Sequence, residues 1–105
     1  MNRILGWFAV LVLAMCSVTW AQGPETVVTD SLGRSVHIPV PVRRVVSLSA
    51  SGVECIRIME RIDTLVGITE HTKTRKEQFP EVARLPSVGR GFMPNFEVIA
   101  ELRPD

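Results

Sequence analysis

Ser47-Leu48-Ser49-Ala50-Ser51-Gly52 places three hydroxyls where a short apolar run gives way to an amphipathic one. A serine between a strand and a helix is where a hydrolase carries its nucleophile. Here the glycine two positions before the serine is missing and no general base is recognisable nearby, so acyl transfer is not the chemistry expected. The same residues can offer something simpler, because backbone N–H groups at a helix start can hold an anionic or polar ligand edge. Further along, His71 stands beside the basic run Lys73, Arg75 and Lys76, and Arg90 and Phe92 follow. Those cations could face an anion, although a basic loop is more often only solvated, and a lone His at a strand end is more often a loop residue than a ligand. Cys55 reads as a packing residue on the apolar side of a helix. No Cys-x-x-Cys or His/Cys cluster suggests a bound metal. His37 alternates with Val36 and Ile38 on a polar strand face and reads as inert. Gly89-Arg90-Gly91 lacks the third glycine and the preceding strand of a nucleotide fingerprint.

These groups must be positioned by a small fold. The chain has 105 residues, room for one domain at most. Twelve Lys and Arg against eleven Asp and Glu give a formal charge of +1, which is no electrostatic footprint for nucleic acid, and none is expected as a partner. The mean hydropathy of +0.20 is inflated by the first twenty-one residues. There Asn2 and Arg3 precede the apolar run Ile4–Val12, and Thr19-Trp20-Ala21 supplies small residues at alternating positions, which is the anatomy of a secretory signal peptide. Cleavage after Ala21 is expected, with residues 1–21 as the signal peptide. Two alternatives stay open: a membrane helix over Ile4–Trp20, and a lipoprotein anchored through Cys16, since Leu13-Ala14-Met15-Cys16 approaches a lipobox despite the bulky Met15. Beyond Ala21 the chain has a single cysteine, Cys55, and neither Trp nor Tyr, so apolar burial alone must hold the fold.

The pattern from residue 26 predicts an α/β fold. Residues 26–38 pair two β-branched runs around Asp30-Ser31-Leu32-Gly33, a peripheral β-hairpin, with Pro39 and Pro41 stopping the ladder and residues 22–43 forming hairpin and linker. Val45-Val46-Ser47-Leu48 and Leu65–Thr69 read as buried strands. Between them lies a helix of about three turns, capped by Ser51 with Glu54 three positions on. Its expected apolar face is Val53, Ile56, Met59 and Ile62, with Arg57 on the solvent side. Strand, helix and strand make a right-handed βαβ unit of a parallel sheet. Residues 70–94 look polar and irregular. Asn95 caps a helix over Phe96–Leu102 that Pro104 ends, and α/β logic asks for a further strand beyond Asp105, so an incomplete chain is expected. Ligands of open α/β sheets sit beyond the carboxyl ends of the strands, which points to the loops Ser49–Ser51 and Glu70–Lys76, with Arg90–Pro94 as a third.

Taken in order, several of these motifs resemble one family across about residues 26–105. They are Val28, Thr29, Asp30, Gly33 and Arg34 in the hairpin; Pro41 and Arg44 before Val45 to Ser49; Glu54 in the next helix; and Leu65 to Ile68. Val88-Gly89 and then Asn95, Glu97, Ile99, Leu102, Pro104 and Asp105 complete the set. The pattern is similar to the periplasmic-binding proteins of iron-siderophore, haem and cobalamin ABC importers. The resemblance implies two Rossmann-like lobes with ligand between them, of which residues 44–105 are the first part of the N-terminal one. It implies a non-enzymatic, monomeric substrate-binding component, secreted to the periplasm, that captures a ferric chelate or cobalamin without any covalently bound cofactor. Delivery would be to an ABC permease with its ATPase. Candidate ligand-binding residues are Ser49, Ala50, Ser51, His71, Arg90 and Phe92. Glu97 aligns with a glutamate that docks on the permease, against the plainer reading that a first-turn carboxylate stabilises its own helix dipole. The alternatives are a haem-binding member of the same family, which the absence of Tyr disfavours, and a secreted fragment that binds no ligand.

Overall fold

A computed structural model describes residues 23–105. The signal peptide, its cleavage after Ala21 and the anchoring alternative at Cys16 lie outside the described residues. Among those that are described, no helix is long and apolar enough to cross a membrane.

Strands β1 (Glu25–Thr29) and β2 (Ser35–Pro39) form an antiparallel hairpin in which Val28 faces Val36 and Thr29 faces Ser35. Asp30 organises the connection: its Oδ1 accepts from the backbone N–H of Leu32 and of Arg34, both at 2.9 Å, and its Oδ2 accepts from Arg34 Nε at 2.6 Å. Gly33 supplies the positive φ, +76°, that lets the chain turn back. The ladder runs farther than the prolines suggested. Val40 N–H donates to Pro24 O at 2.8 Å, which leaves the Glu25–Pro39 pair as a non-hydrogen-bonded one where proline forfeits nothing. Every residue of β1 is exposed, so the hairpin is peripheral as expected.

The βαβ unit is present. Strand β3 (Val45–Ser47) runs parallel to β4 (Leu65–Ile68), with Val46 beside Gly67 and Ser47 beside Ile68. Helix α1 (Ala50–Ile58) crosses between them, followed by a 3-10 turn at Ile62–Thr64. Its N-cap is Ser49, whose Oγ accepts from Gly52 N–H at 3.0 Å, and not Ser51. The helix starts two residues earlier than the Ser51/Glu54 spacing implied, and Gly52 permits the close turn, since a Cβ there would lie 2.5 Å from Ser47 Oγ and 3.2 Å from Ser49 Oγ. The helix ends at Glu60 in a left-handed conformation (φ 56°), with Glu60 N–H donating to Arg57 O and Arg61 N–H to Ile56 O, a Schellman closure built without glycine.

That early stop changes which face is buried. Val53 is fully buried and Ile56 packs against the core, but Met59 is 63% exposed, Ile58 is 76% exposed and Cys55 faces solvent, so Cys55 is not the buried packing residue its position suggested. Arg57 makes the opposite move. Its guanidinium lies over the Phe79 ring at 4.9 Å and donates to Glu54 Oε2, Gln78 O and Glu81 Oε2, joining α1 to the loop that follows β4. The core is Val53, Leu65, Ile68, Phe79 and Val82, so the segment 76–85, polar in sequence, sends Phe79 and Val82 inward with Leu85 packed against them.

Residues 70–94 hold more order than their composition showed. Helix α2 (Glu70–Thr74) is capped by Thr69, and β5 (Gly89–Arg90) pairs antiparallel with β6 (Met93–Pro94). Both are too short for any periodicity to reveal. Between them Ser87 bridges in parallel to Ile68, Ile68 N–H donating to Pro86 O and Val88 N–H to Ile68 O. Asn95 caps helix α3 (Phe96–Leu102) through bonds from the N–H groups of Glu97 and Val98, as expected. Gly67 lets α3 approach β4, since a Cβ there would meet Leu102 Cδ1 at 2.6 Å and Val88 Cγ1 at 2.8 Å.

Arg103, left-handed at φ 46°, closes α3, and Asp105 then returns to the start of the sheet. Its Oδ2 accepts from Arg43 N–H at 2.6 Å and Arg44 N–H at 2.9 Å, and its own N–H donates to Arg44 O. These backbone donors, Arg43 first, hold the Asp105 carboxyl below the ordinary aspartate range. A group that is the stronger acid when folded stabilises fully above its unfolded pKa and loses that contribution as pH falls through the folded value. Asp105→Asn should therefore lower the urea midpoint at neutral pH, and the gap to wild type should shrink in strongly acidic buffer. A gap that is constant with pH would contradict the latch.

Candidate ligand-binding cleft

Parallel strands present all their carboxyl ends on one side, and the second parallel pairing, at Ser87, delivers the β5–β6 ribbon to that side too. Three walls result: Leu48, Ser49 and Ala50 after β3; Thr69, Glu70, His71 and Thr74 after β4; and Arg90, Gly91 and Phe92 in the ribbon. They enclose a cavity of about 610 Å³, the size of an ordinary small-molecule site.

Local chemistry fixes each wall. Ser47 Oγ donates to Ser49 O at 2.8 Å and Ser49 Oγ caps α1, which pins the first loop while Leu48 stays 43% exposed over the cavity. On the second wall Thr69 and Thr72 are buried and share a hydroxyl bond at 3.0 Å, anchoring the short helix whose outer residues Glu70 and His71 reach the cavity. In the ribbon, Gly89 adopts φ +90° and Asn95 N–H donates to Val88 O at 2.8 Å. Gly91 sits so near the first wall that a Cβ would be 3.0 Å from Leu48 O. Phe92 at the ribbon's tip is fully exposed.

Of the residues singled out in the sequence, Ser49, Ala50, His71, Arg90 and Phe92 meet in this cavity. Ser51 does not line it, because the shifted cap turns it onto the exposed first turn of α1. His71 lies in α2 and not in a loop. The basic run is dispersed: Lys73 Nζ donates to Leu85 O at 3.1 Å, and Arg75 and Lys76 line a neighbouring concavity with Glu77 and Gln78 that touches the first only at Thr74. Glu70, Leu48 and Gly91 were not picked out individually; Glu70 was visible only as the first residue of a loop that the sheet rule had flagged. Glu97 lies exposed in the first turn of α3 and away from the cavity lining. Among the described residues no group of His, Cys, Asp and Glu could hold a metal ion.

No protein-family model matches the chain, and no curated protein does. Among solved structures, the crystal structure of a periplasmic solute binding protein from Veillonella parvula DSM 2008 is similar, with 25% sequence identity and a TM-score of 0.65. The match covers 78% of this chain and 28% of that protein, so it spans less than a third of the neighbour's length. The hairpin, the parallel strand pair and its crossover helix are thus those of a piece of a solute-binding fold.

Proposed function

We propose that this chain is the N-terminal part of the substrate-binding component of an ABC importer, capturing a ferric chelate or a corrinoid in the periplasm and delivering it to a membrane permease and its ATPase. The observation that carries the reading is the convergence of three loops at the carboxyl ends of the parallel sheet on one largely apolar cavity, in a fold resembling a periplasmic solute binding protein. Residues 44–105 supply the first part of one lobe, and Ser49, Ala50, His71, Arg90 and Phe92 supply one wall of the ligand site. Ser49 Oγ is engaged in capping α1, which supports a binding role for this loop over a catalytic one. Export by a signal peptide cleaved after Ala21 fits this place of work. Glu97, exposed at a helix start, is the permease contact.

Calorimetric titration of the full-length protein with ferric siderophores, haem and cobalamin tests the reading, and silence with all three would refute it. In the same background Glu97→Lys should leave the titration unchanged while stopping uptake.

A further inference from the structure

Resting on that ligand-binding reading, we infer that this wall of the cleft selects a ligand face without net charge, an apolar body with hydrogen-bonding groups, over a multiply anionic chelate. The sequence pointed the other way, since Lys73, Arg75, Lys76 and Arg90 together would have made a strongly cationic mouth. The fold breaks up that set. Lys73 is drawn onto Leu85 O, and Arg75, whose Nη1 lies 3.4 Å from Gln78 Oε1, shares the separate concavity beyond Thr74 with Lys76 and Glu77. What remains at the cavity is one guanidinium, Arg90, and one carboxylate, Glu70.

These two offset each other, and neither is in an ion pair among the described residues. Each is therefore available to a ligand, Arg90 as a fixed donor and Glu70 as an acceptor-only group. Besides the polar but formally uncharged side chains of Ser49, Thr69, His71 and Thr74, the rest of the lining is apolar or backbone: Leu48, Ala50, the Phe92 ring, and Gly91 seated against the Leu48 carbonyl. A trianionic ligand lying on this surface gains one attraction and meets one repulsion, and loses water from charges that nothing else compensates. A neutral chelate with amide-like edges can donate to Glu70, accept from Arg90 and bury its body on Phe92 and Leu48. At low ionic strength a unit charge about 8 Å from a trianion alters binding by roughly tenfold, which makes Glu70 the discriminating residue.

Gallium(III) complexes carry the charge and geometry of their iron counterparts without paramagnetism, and they allow a direct test by amide-shift titration of the full chain. A neutral gallium trihydroxamate and a trianionic gallium triscatecholate would be compared in mildly alkaline, low-salt buffer. The neutral probe is expected to bind more tightly, shifting the amides of residues 49–50, 70–71 and 90–92. Glu70→Gln should strengthen the trianionic probe by about tenfold and leave the neutral one within about twofold. Tighter binding of the trianion by the unmodified chain, an unchanged preference in Glu70→Gln, or shifts centred on residues 75–78 would each overturn the charge selection while leaving a ligand site in place. No shift with either probe would instead remove the cleft reading itself, and this inference with it.

Discussion

Phe79→Ala is expected to remove about 3–5 kcal/mol of folding stability, the range for truncating a buried aromatic to alanine. Phe79 is 1% exposed and is the largest fully buried side chain, packed with Val53, Leu65, Ile68 and Val82. It also carries Arg57 over its ring, and a cation there contributes about 0.5–1 kcal/mol at a partly exposed site. Truncation would open a cavity in the cluster that joins α1 to β4, and leave Arg57 to hold Gln78 and Glu81 over empty space. Domains this small have little stability in reserve, with totals of about 5–15 kcal/mol even for ordinary ones. The variant should therefore unfold at a urea concentration far below that of the parent. Phe92→Ala is the control, since Phe92 is fully exposed and its loss should leave the midpoint where it was. Equal midpoints for Phe79→Ala and Phe92→Ala would show that the core is not where the structure places it.

Phe79 also shows how far the sequence could be read. Signals confined to neighbouring residues translated directly: Asp30 with Gly33 made the hairpin turn, the β-branched runs at Val45 and Leu65 made a parallel pair, and Asn95 capped α3. Long-range decisions did not. Arg57 belongs to the polar side of a helical wheel, and only Phe79, twenty-two positions later, draws it inward. Even a local signal can mislead where two residues fit it, as Ser51 and Ser49 both fit the cap and the helix starts from Ser49. The cleft divides in the same way. Sheet geometry pointed to the loops after β3 and β4, and the Arg90–Pro94 loop named beside them joins the same cavity, so five of six ligand-binding candidates come together. Which charges it holds did not follow, because the direction of Lys73 depends on a carbonyl at Leu85, and Glu70 enters only because Thr69 starts a helix too short to leave a periodic trace.

Gly89 tests the ribbon on which half of that cleft depends. As the opening of a nucleotide fingerprint, Gly89-Arg90-Gly91 leads nowhere; as backbone geometry, its first residue is irreplaceable. At φ +90° an L side chain is strained, by about 1–2 kcal/mol. A Cβ would also lie 2.8 Å from Met93 O and 3.0 Å from Asn95 N, both main-chain atoms that cannot swing aside, and forced overpacking costs a further 1–3 kcal/mol or so. Gly89→Ala should thus lose about 2–5 kcal/mol. Gly33→Ala makes the strain visible alone, since Gly33 has φ +76° and open space around it. The excess of Gly89→Ala over Gly33→Ala measures the crowding. The two should differ in kind as well as size. Displacing Met93 and Asn95 undoes the β5–β6 pairing and the bond from Asn95 N–H to Val88 O, so hydrogen exchange at Asn95 should accelerate in Gly89→Ala and stay slow in Gly33→Ala. With the ribbon displaced, Arg90 and Phe92 no longer face Ser49 and His71, and ligand shifts should vanish from all three walls together. Retention of those shifts in a destabilised Gly89→Ala would mean that the ribbon is not a wall of the site.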